Sequence, residues 1–246
     1  MKDDRIDVRG PAAGAIQTFC DRVLGIIRDP KSIPSKIKGR VLGRREFDWN
    51  ANAAELGAYS VIDGRHSPSD FEYVTKRTKE ILYPLVQEQL DGNEKTLLDF
   101  GCGPGRFTGD LAEIIDGNAI GVDVTKKLIE IAAPHPRVHF LYSENIFEEN
   151  LITSFDMVFI CCVLGGINDN ELTEIASNLV GVLDNDGLLF IIESTAPAPV
   201  KDTWRIFTSN EIVGLFPGVD LRPIGVFHDA NQERTVFCGR KRYVSV

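Results

Sequence analysis

No apolar run in this chain reaches the roughly 20 residues of a membrane span. The N-terminus, M-K-D-D-R-I-D, lacks the apolar core of a secretory signal. Cysteine is scarce and irregular. There are five, an odd number without metal-ligand spacing, which argues against a disulfide framework or a zinc module and for a reducing compartment. Cytoplasm is the expectation, and Cys161 and Cys162, inside an apolar run, read as small core residues. Excess positive charge is also missing, since the net charge is −9. Residues 1–50 hold 11 Lys and Arg against 7 Asp and Glu, a net of +4, so the remainder carries −13. A body this acidic excludes nucleic acid as the main partner, because phosphate binding needs a basic face. With 246 residues the chain can bury a full α/β core and still carry a small appendage.

What is present is organised around Thr96–Arg106, T-L-L-D-F-G-C-G-P-G-R. A short apolar run ends in an acid, Asp99, and Gly101, Gly103 and Gly105 follow before an amphipathic segment, Phe107–Ile115. That order predicts a strand, a tight turn and a helix N-terminus, with glycines where backbone approaches a ligand closely. Eighteen residues past Gly105, a second apolar run, A-I-G-V-D, ends in Asp123. An acid at the tip of the second strand of a βαβ unit can hydrogen-bond vicinal ribose hydroxyls, so the pairing points to a nucleoside-containing ligand. The dinucleotide-binding pattern Gly-x-Gly-x-x-Gly is not met, because Arg106 stands where its third glycine belongs.

On D-F-G-C-G-P-G and Asp123 the chain resembles the class I S-adenosylmethionine-dependent methyltransferases. The resemblance covers roughly residues 69–240 and is tightest over 96–123. It implies an α/β fold, a Rossmann-like seven-stranded mixed sheet with helices on both faces and a C-terminal antiparallel hairpin. Strands are expected at 96–100, 118–123, 138–142, 156–162 and 187–193, with helices near 105–116, 125–133 and 169–183. Residues 221–228 and 234–240, flanking H-D-A-N-Q-E, read as the closing antiparallel pair. Ser67-Pro-Ser-Asp reads as the start of a helix carrying Phe71, Val74, Ile81, Leu82, Leu85 and Val86 on one stripe, with Pro84 predicting a kink or a break.

Two domains follow: an N-terminal helical and basic extension with a lid over residues 1–68, and a methyltransferase domain over 69–246. Residues 12–28 show a helical apolar face, and residues 31–45 carry six basic side chains and no acid. Contact with an anionic membrane surface and a homodimer through residues 1–50 both stay open, beside packing on the catalytic domain. Residues 46–68 have no clear period. Many members of the resembled family fold this segment over the active site, which makes Trp49, Tyr59, Arg65 and His66 pocket candidates.

The resemblance further implies S-adenosylmethionine as cofactor and S-adenosylhomocysteine as product. Asp99, Gly101, Cys102, Gly103, Asp123 and Val124 are the expected contacts from the first two strands. Glu144, Asn145 and Ile146 follow strand three, and Cys162 and Val163 follow strand four. Gly166 sits where family members frequently carry a bulky side chain or a histidine, so Gly165-Gly166 leave room beside the reactive methyl, for a large acceptor or for a lid side chain. Trp204 and Arg205 fall where the family often places acceptor contacts. Tyr59, Arg65, Gly166, Trp204 and Arg205 are thus the substrate-binding candidates. A hydroxyl acceptor needs a base. Candidates are His66 and His228 first, with Glu193, Asp229 and Asp169 behind them. Metal is not expected, because the clustered acids of catechol-type members are absent. The N/D-P-P-Y signature is absent after strand four, where C-C-V-L-G-G stands. That disfavours nitrogen on DNA or protein glutamine and favours an oxygen or carbon of a small molecule, lipid or sugar. The expected activity is methyl transfer to a hydroxyl of a small molecule or sugar, lipid-linked if the N-terminal segment touches membrane. The alternative is a catalytically idle domain that binds the cofactor or a partner.

Overall fold

Thr96–Phe100 (β1) forms the centre of the fold because Leu97, Leu98 and Asp99 are buried between neighbours on both sides. In this computed structural model β1 pairs in parallel with β2, Asn118–Asp123, and with β4, Phe155–Cys161. Outside them lie β3, Val138–Tyr142, and β5, Leu183–Ser194, both parallel. The structure describes residues 48–142, 154–197, 200–201 and 204–242. The helix read over 12–28, the basic stretch 31–45, and Glu144, Asn145 and Ile146 lie outside the described residues.

The sheet is closed by β9, Gln232–Arg240, antiparallel to β5, and by β8, Arg222–Asp229, antiparallel to β9. The order is β3-β2-β1-β4-β5-β9-β8, the seven-stranded mixed sheet expected. The hairpin turn is tighter than the sequence suggests. It consists of Ala230 and Asn231, both at positive φ (48° and 65°), so the strands run on to Asp229 and Gln232. A second antiparallel pair, β6 (Val200–Lys201) and β7 (Arg205–Ile206), lies beyond β5.

Alternation along the strands builds two cores. Leu98, Val158, Ile160, Leu189 and Ile191 face α5, Asp169–Val182, and α6, Ser209–Leu215, through Leu172, Ala176, Ile212 and Phe216. Leu97, Met157, Phe159, Phe190 and Ile192 face α2, Phe71–Gln89, and α3, Thr108–Ile114, through Leu82, Val86, Phe107 and Leu111. The broken helix considered at Pro84 does not occur. Pro84 lies on the exposed side of a continuous α2, while Leu82 and Val86 are fully buried on either side of it and hold the helix to the sheet. Strand β5 starts earlier than read: Leu183 already pairs with Phe155, and Asp186 at φ 63° makes an irregularity before Leu188 meets Met157.

The segment without a period, residues 48–68, is ordered helix and turn. Trp49–Leu56 (α1) is capped by Asp48, whose side chain accepts from Ala51 N, and runs into a 3₁₀ turn, Gly57–Val61. Among the described residues no helix is long and apolar enough to cross a membrane.

Candidate functional site

The carboxyl ends of β1, β2, β4 and β5 meet the N-terminal segment and the closing hairpin at one edge of the sheet, where an open α/β sheet takes its ligand. The turn after β1 is pinned first. Gly101 N and Cys102 N both donate to Val122 O at 2.9 Å. Gly101 has φ 73°, and a β-carbon there would fall on the side chain of Val163 at the end of β4. The loop therefore needs glycine for backbone conformation and for close approach. Cys102 is buried, so only its backbone faces the turn.

Asp123 closes the loop from the tip of β2. Its Oδ2 accepts from Gly103 N at 2.8 Å and its Oδ1 from Thr125 N at 2.7 Å. Burial pushes this carboxyl upward and the two backbone N–H groups oppose the shift. One bond on each oxygen leaves acceptor capacity on both for a vicinal diol. Beside it Val124 is 49% exposed, an apolar surface next to the acid. Asp99 is buried and accepts from Thr108 Oγ1 at 2.6 Å. Burial raises its carboxyl to about 7, with Thr108 opposing and the charge of Asp123 adding to the rise.

Against the loop lies Arg106, which is partly buried, a placement the sequence reading missed. Its Nε donates to Thr75 Oγ1 at 3.1 Å and its Nη1 to Val61 O at 3.2 Å. The guanidinium carbon sits 4.8 Å from the Phe107 ring centre and 5.9 Å from that of Phe71. Burial lowers its pKa. Among the described residues no carboxylate comes within ion-pair reach of it, although every other deeply placed arginine of the site has one. A guanidinium shielded from water without an anion is costly to hold and is suited to receive one.

The N-terminal segment is stitched to the hairpin by charge. His66 Nε2 lies 2.6 Å from Asp229 Oδ1, joining residues 163 apart in the chain. Arg234, buried at the start of β9, reaches Asp63 Oδ2 at 3.3 Å and Asp229 Oδ2 at 3.8 Å and donates to Ser194 Oγ. His228, the other candidate base, points away: it is exposed, because alternation along β8 turns Asp229 inward instead. Arg65 is half exposed and paired with Asp63 at 2.6 Å, and Tyr59 is 40% exposed and packs edge-on to Phe71. Neither reaches the loop. An aspartate-held imidazole at the sheet edge can accept a proton on its other nitrogen.

Beyond β4, Trp204 and Trp49 cover Gly165 and Gly166. Trp204, from the segment after β5, takes most of the room that the two glycines leave, and Trp49 of the N-terminal segment completes the cover. Arg205 is committed to Asp169 Oδ1 at 2.8 Å and Glu211 Oε1 at 2.7 Å, which makes it an anchor of its own segment. Glu211 also completes the capping box of Thr208 at the start of α6. No group of three or more His, Cys, Asp or Glu among the described residues is placed to hold a metal ion.

Glu193, at the end of β5, is fully buried and accepts from Ser194 N at 2.9 Å and Gly165 N at 3.3 Å. Burial, reinforced by Cys162, pushes its carboxyl to about 8, against the pull of Ser194 N and Arg234. In the unfolded chain this carboxyl titrates at its ordinary value, 4.5, so unfolding releases a proton between the two values. The stability it contributes is complete below 4.5 and is lost as pH rises through about 8. Glu193→Gln is therefore expected to flatten the fall of stability between pH 5 and 8, by up to about 1.4 kcal/mol per pH unit. Denaturant midpoints of both proteins across that range check this. Parallel slopes would mean that Glu193 is ionised in the folded protein.

Comparison with known proteins bears on this geometry. Residues 97–187 match a family model described as a methyltransferase domain. Phosphoethanolamine N-methyltransferase 1 of Arabidopsis thaliana is 33% identical over 153 residues, a stretch that covers 59% of this chain and 29% of the plant protein. The match thus spans under a third of that relative's length. Among solved structures, magnesium protoporphyrin IX methyltransferase from Synechocystis PCC 6803, with bound S-adenosylhomocysteine, superposes with a TM-score of 0.60 at 16% identity. It covers 78% of this chain and 96% of that one. N-methyltransferase NodS from Bradyrhizobium japonicum WM9, also in complex with S-adenosylhomocysteine, gives 0.55 at 15%, covering 78% and 97%. At these identities the two structures speak for the fold.

Proposed function

We propose that this chain is a class I S-adenosylmethionine-dependent methyltransferase and that it transfers a methyl group to a hydroxyl of a small molecule or sugar, with His66 as the base. The observation that carries the reading is the 2.6 Å contact between His66 Nε2 and Asp229 Oδ1 at the carboxyl edge of the sheet.

The residues present fit the cofactor. Asp123 retains acceptor capacity for the ribose hydroxyls, Gly101 and Gly103 bring backbone within reach, and Val124 offers an apolar surface beside them. Asp99 is available to the methionine ammonium, and Arg106, with no carboxylate partner among the described residues, suits the methionine carboxylate. S-adenosylmethionine supplies an electrophilic methyl on a sulfonium that is itself a good leaving group. The protein's part is then alignment and proton removal. Asp229 holds one imidazole nitrogen of His66, which fixes the ring and favours a tautomer whose other nitrogen accepts the acceptor's proton. Arg234, tied to Asp63 and Asp229, keeps the N-terminal segment against the hairpin and so keeps the pair assembled.

The carboxylate assignment has its own test. Arg106→Met keeps the apolar stem and removes the charge. It is expected to weaken S-adenosylhomocysteine binding by about 1.5–3 kcal/mol, roughly ten- to a hundredfold. Binding of methylthioadenosine, which lacks the amino-acid end, should be nearly unchanged. Equal losses for both ligands would make Arg106 a support of the fold only.

An amine acceptor is the second reading, favoured by the 33% identity to a plant phosphoethanolamine N-methyltransferase. An ammonium must also lose a proton before it attacks, so the same histidine serves. Release of S-adenosylhomocysteine, measured with hydroxylated sugars and lipids beside phosphoethanolamine, separates the two. Turnover confined to phosphoethanolamine replaces the hydroxyl reading by the amine one. No turnover with either leaves a domain that binds cofactor or partner without catalysis.

A further inference from the structure

Gly165 and Gly166 lie just past the carboxyl end of β4, one strand from the glycine loop. A β-carbon built on Gly166 would stand 3.0 Å from Trp204 Cζ3 and 3.3 Å from Trp49 Cζ2. One built on Gly165 would fall on Nε1 and Cε2 of the same indole. Trp204 therefore lies across both glycines, and Trp49 meets it edge-on at 5.9 Å and 82°. Trp204 Nε1 is out of solvent and has no hydrogen-bond partner among the described residues. An unmet buried donor costs about 1–3 kcal/mol, so apolar contact alone holds the ring in its seat. The chain beside it is fixed, because Arg205 binds Asp169 and Glu211 and lies 4.5 Å over the Phe207 ring. The backbone is anchored, and among the described residues no polar contact locks the ring.

We propose that Trp204 determines which acceptors enter: its indole fills the space above Gly165 and Gly166, so that the site takes a nucleophile on a slim, unbranched stem and turns away branched or ring-bearing ones. This rests on the methyl-transfer reading and narrows its acceptors to open-chain small molecules, so that sugar rings are excluded. It assigns to Trp204 a steric role, with the orphaned Nε1 available to an acceptor oxygen whenever the ring shifts.

The test compares wild type with Trp204→Ala and Trp204→Phe. Release of S-adenosylhomocysteine is followed with primary alcohols and primary amines of increasing girth: n-propyl, isobutyl and benzyl. Trp204→Ala is expected to raise the benzyl-to-propyl ratio of kcat/KM by about tenfold or more, with Trp204→Phe between. Affinity for S-adenosylmethionine should stay within about twofold, since no cofactor contact is removed. An unchanged ratio in a protein that turns over overturns the proposal. Absence of turnover with every compound in all three proteins counts against the methyl-transfer reading instead, and the seat is then tested alone. The chain has two tryptophans, and they touch each other. In Trp49→Phe, Trp204 is the sole tryptophan, and acrylamide should quench it several-fold less than in the same chain carrying Gly165→Ala, whose methyl would fall on the indole itself. Equal quenching in the two would overturn the proposal.

Discussion

Asp123→Ala is expected to abolish measurable binding of S-adenosylmethionine, or to weaken it at least about a hundredfold, while the protein stays folded. Two charge-assisted bonds to ribose hydroxyls are each worth about 1.5–3 kcal/mol, which sets the scale. The variant also frees Gly103 N and Thr125 N, which the carboxylate now holds at 2.8 and 2.7 Å, so the loop loses its preorganisation toward the ligand. Folding should survive, because burial already disfavours the charged form of this side chain and alanine removes that cost. Calorimetric titration gives the affinity and a thermal melt gives the control. A variant that binds within about threefold of wild type would place the ribose elsewhere.

His66→Ala is expected to lower kcat by about 10²–10⁴, the ordinary range for loss of a general base, with cofactor affinity unchanged. Its contacts run to Asp229 and not to the glycine loop, which is why binding and turnover should separate. Imidazole added to the assay should restore part of the rate to the alanine variant, a rescue that a packing role would not allow. Asp229→Asn should fall between wild type and His66→Ala, since it keeps the contact but loses the charge that orients the ring. If His66→Ala retains full kcat, the proton leaves by another route. Glu193, at the end of β5, would then be the next candidate.

The glycine loop and Asp123 are legible in the chain because they fall within one contiguous unit, residues 96–123, and each residue type has a local geometric reason. That the first five strands are parallel follows from the alternation of strands and helices, whereas their order is seen only in the folded chain. The pairing of His66 with Asp229 is not legible, since the two are separated by 163 positions and meet only when the N-terminal segment folds over the hairpin. His228 drew notice in the right hairpin, but a two-residue turn extends β8 by one residue and the pleat turns Asp229 inward and His228 out. Arg106 is visible as the residue that breaks the dinucleotide pattern. Its shielding depends on Val61, Thr75 and Phe71 coming over it, contacts that no local pattern encodes. The same holds for Trp204. Glycines after β4 signal room, and only the folded chain tells what occupies it.

Titration calorimetry of the full chain with S-adenosylhomocysteine, beside NAD, is the most direct test of the cradle formed by Gly101, Gly103, Arg106 and Asp123. Saturable one-to-one binding in the micromolar range, about −8 kcal/mol, is expected for S-adenosylhomocysteine, with none for NAD. Saturable binding of NAD without binding of S-adenosylhomocysteine would contradict the assignment of cofactor and site together.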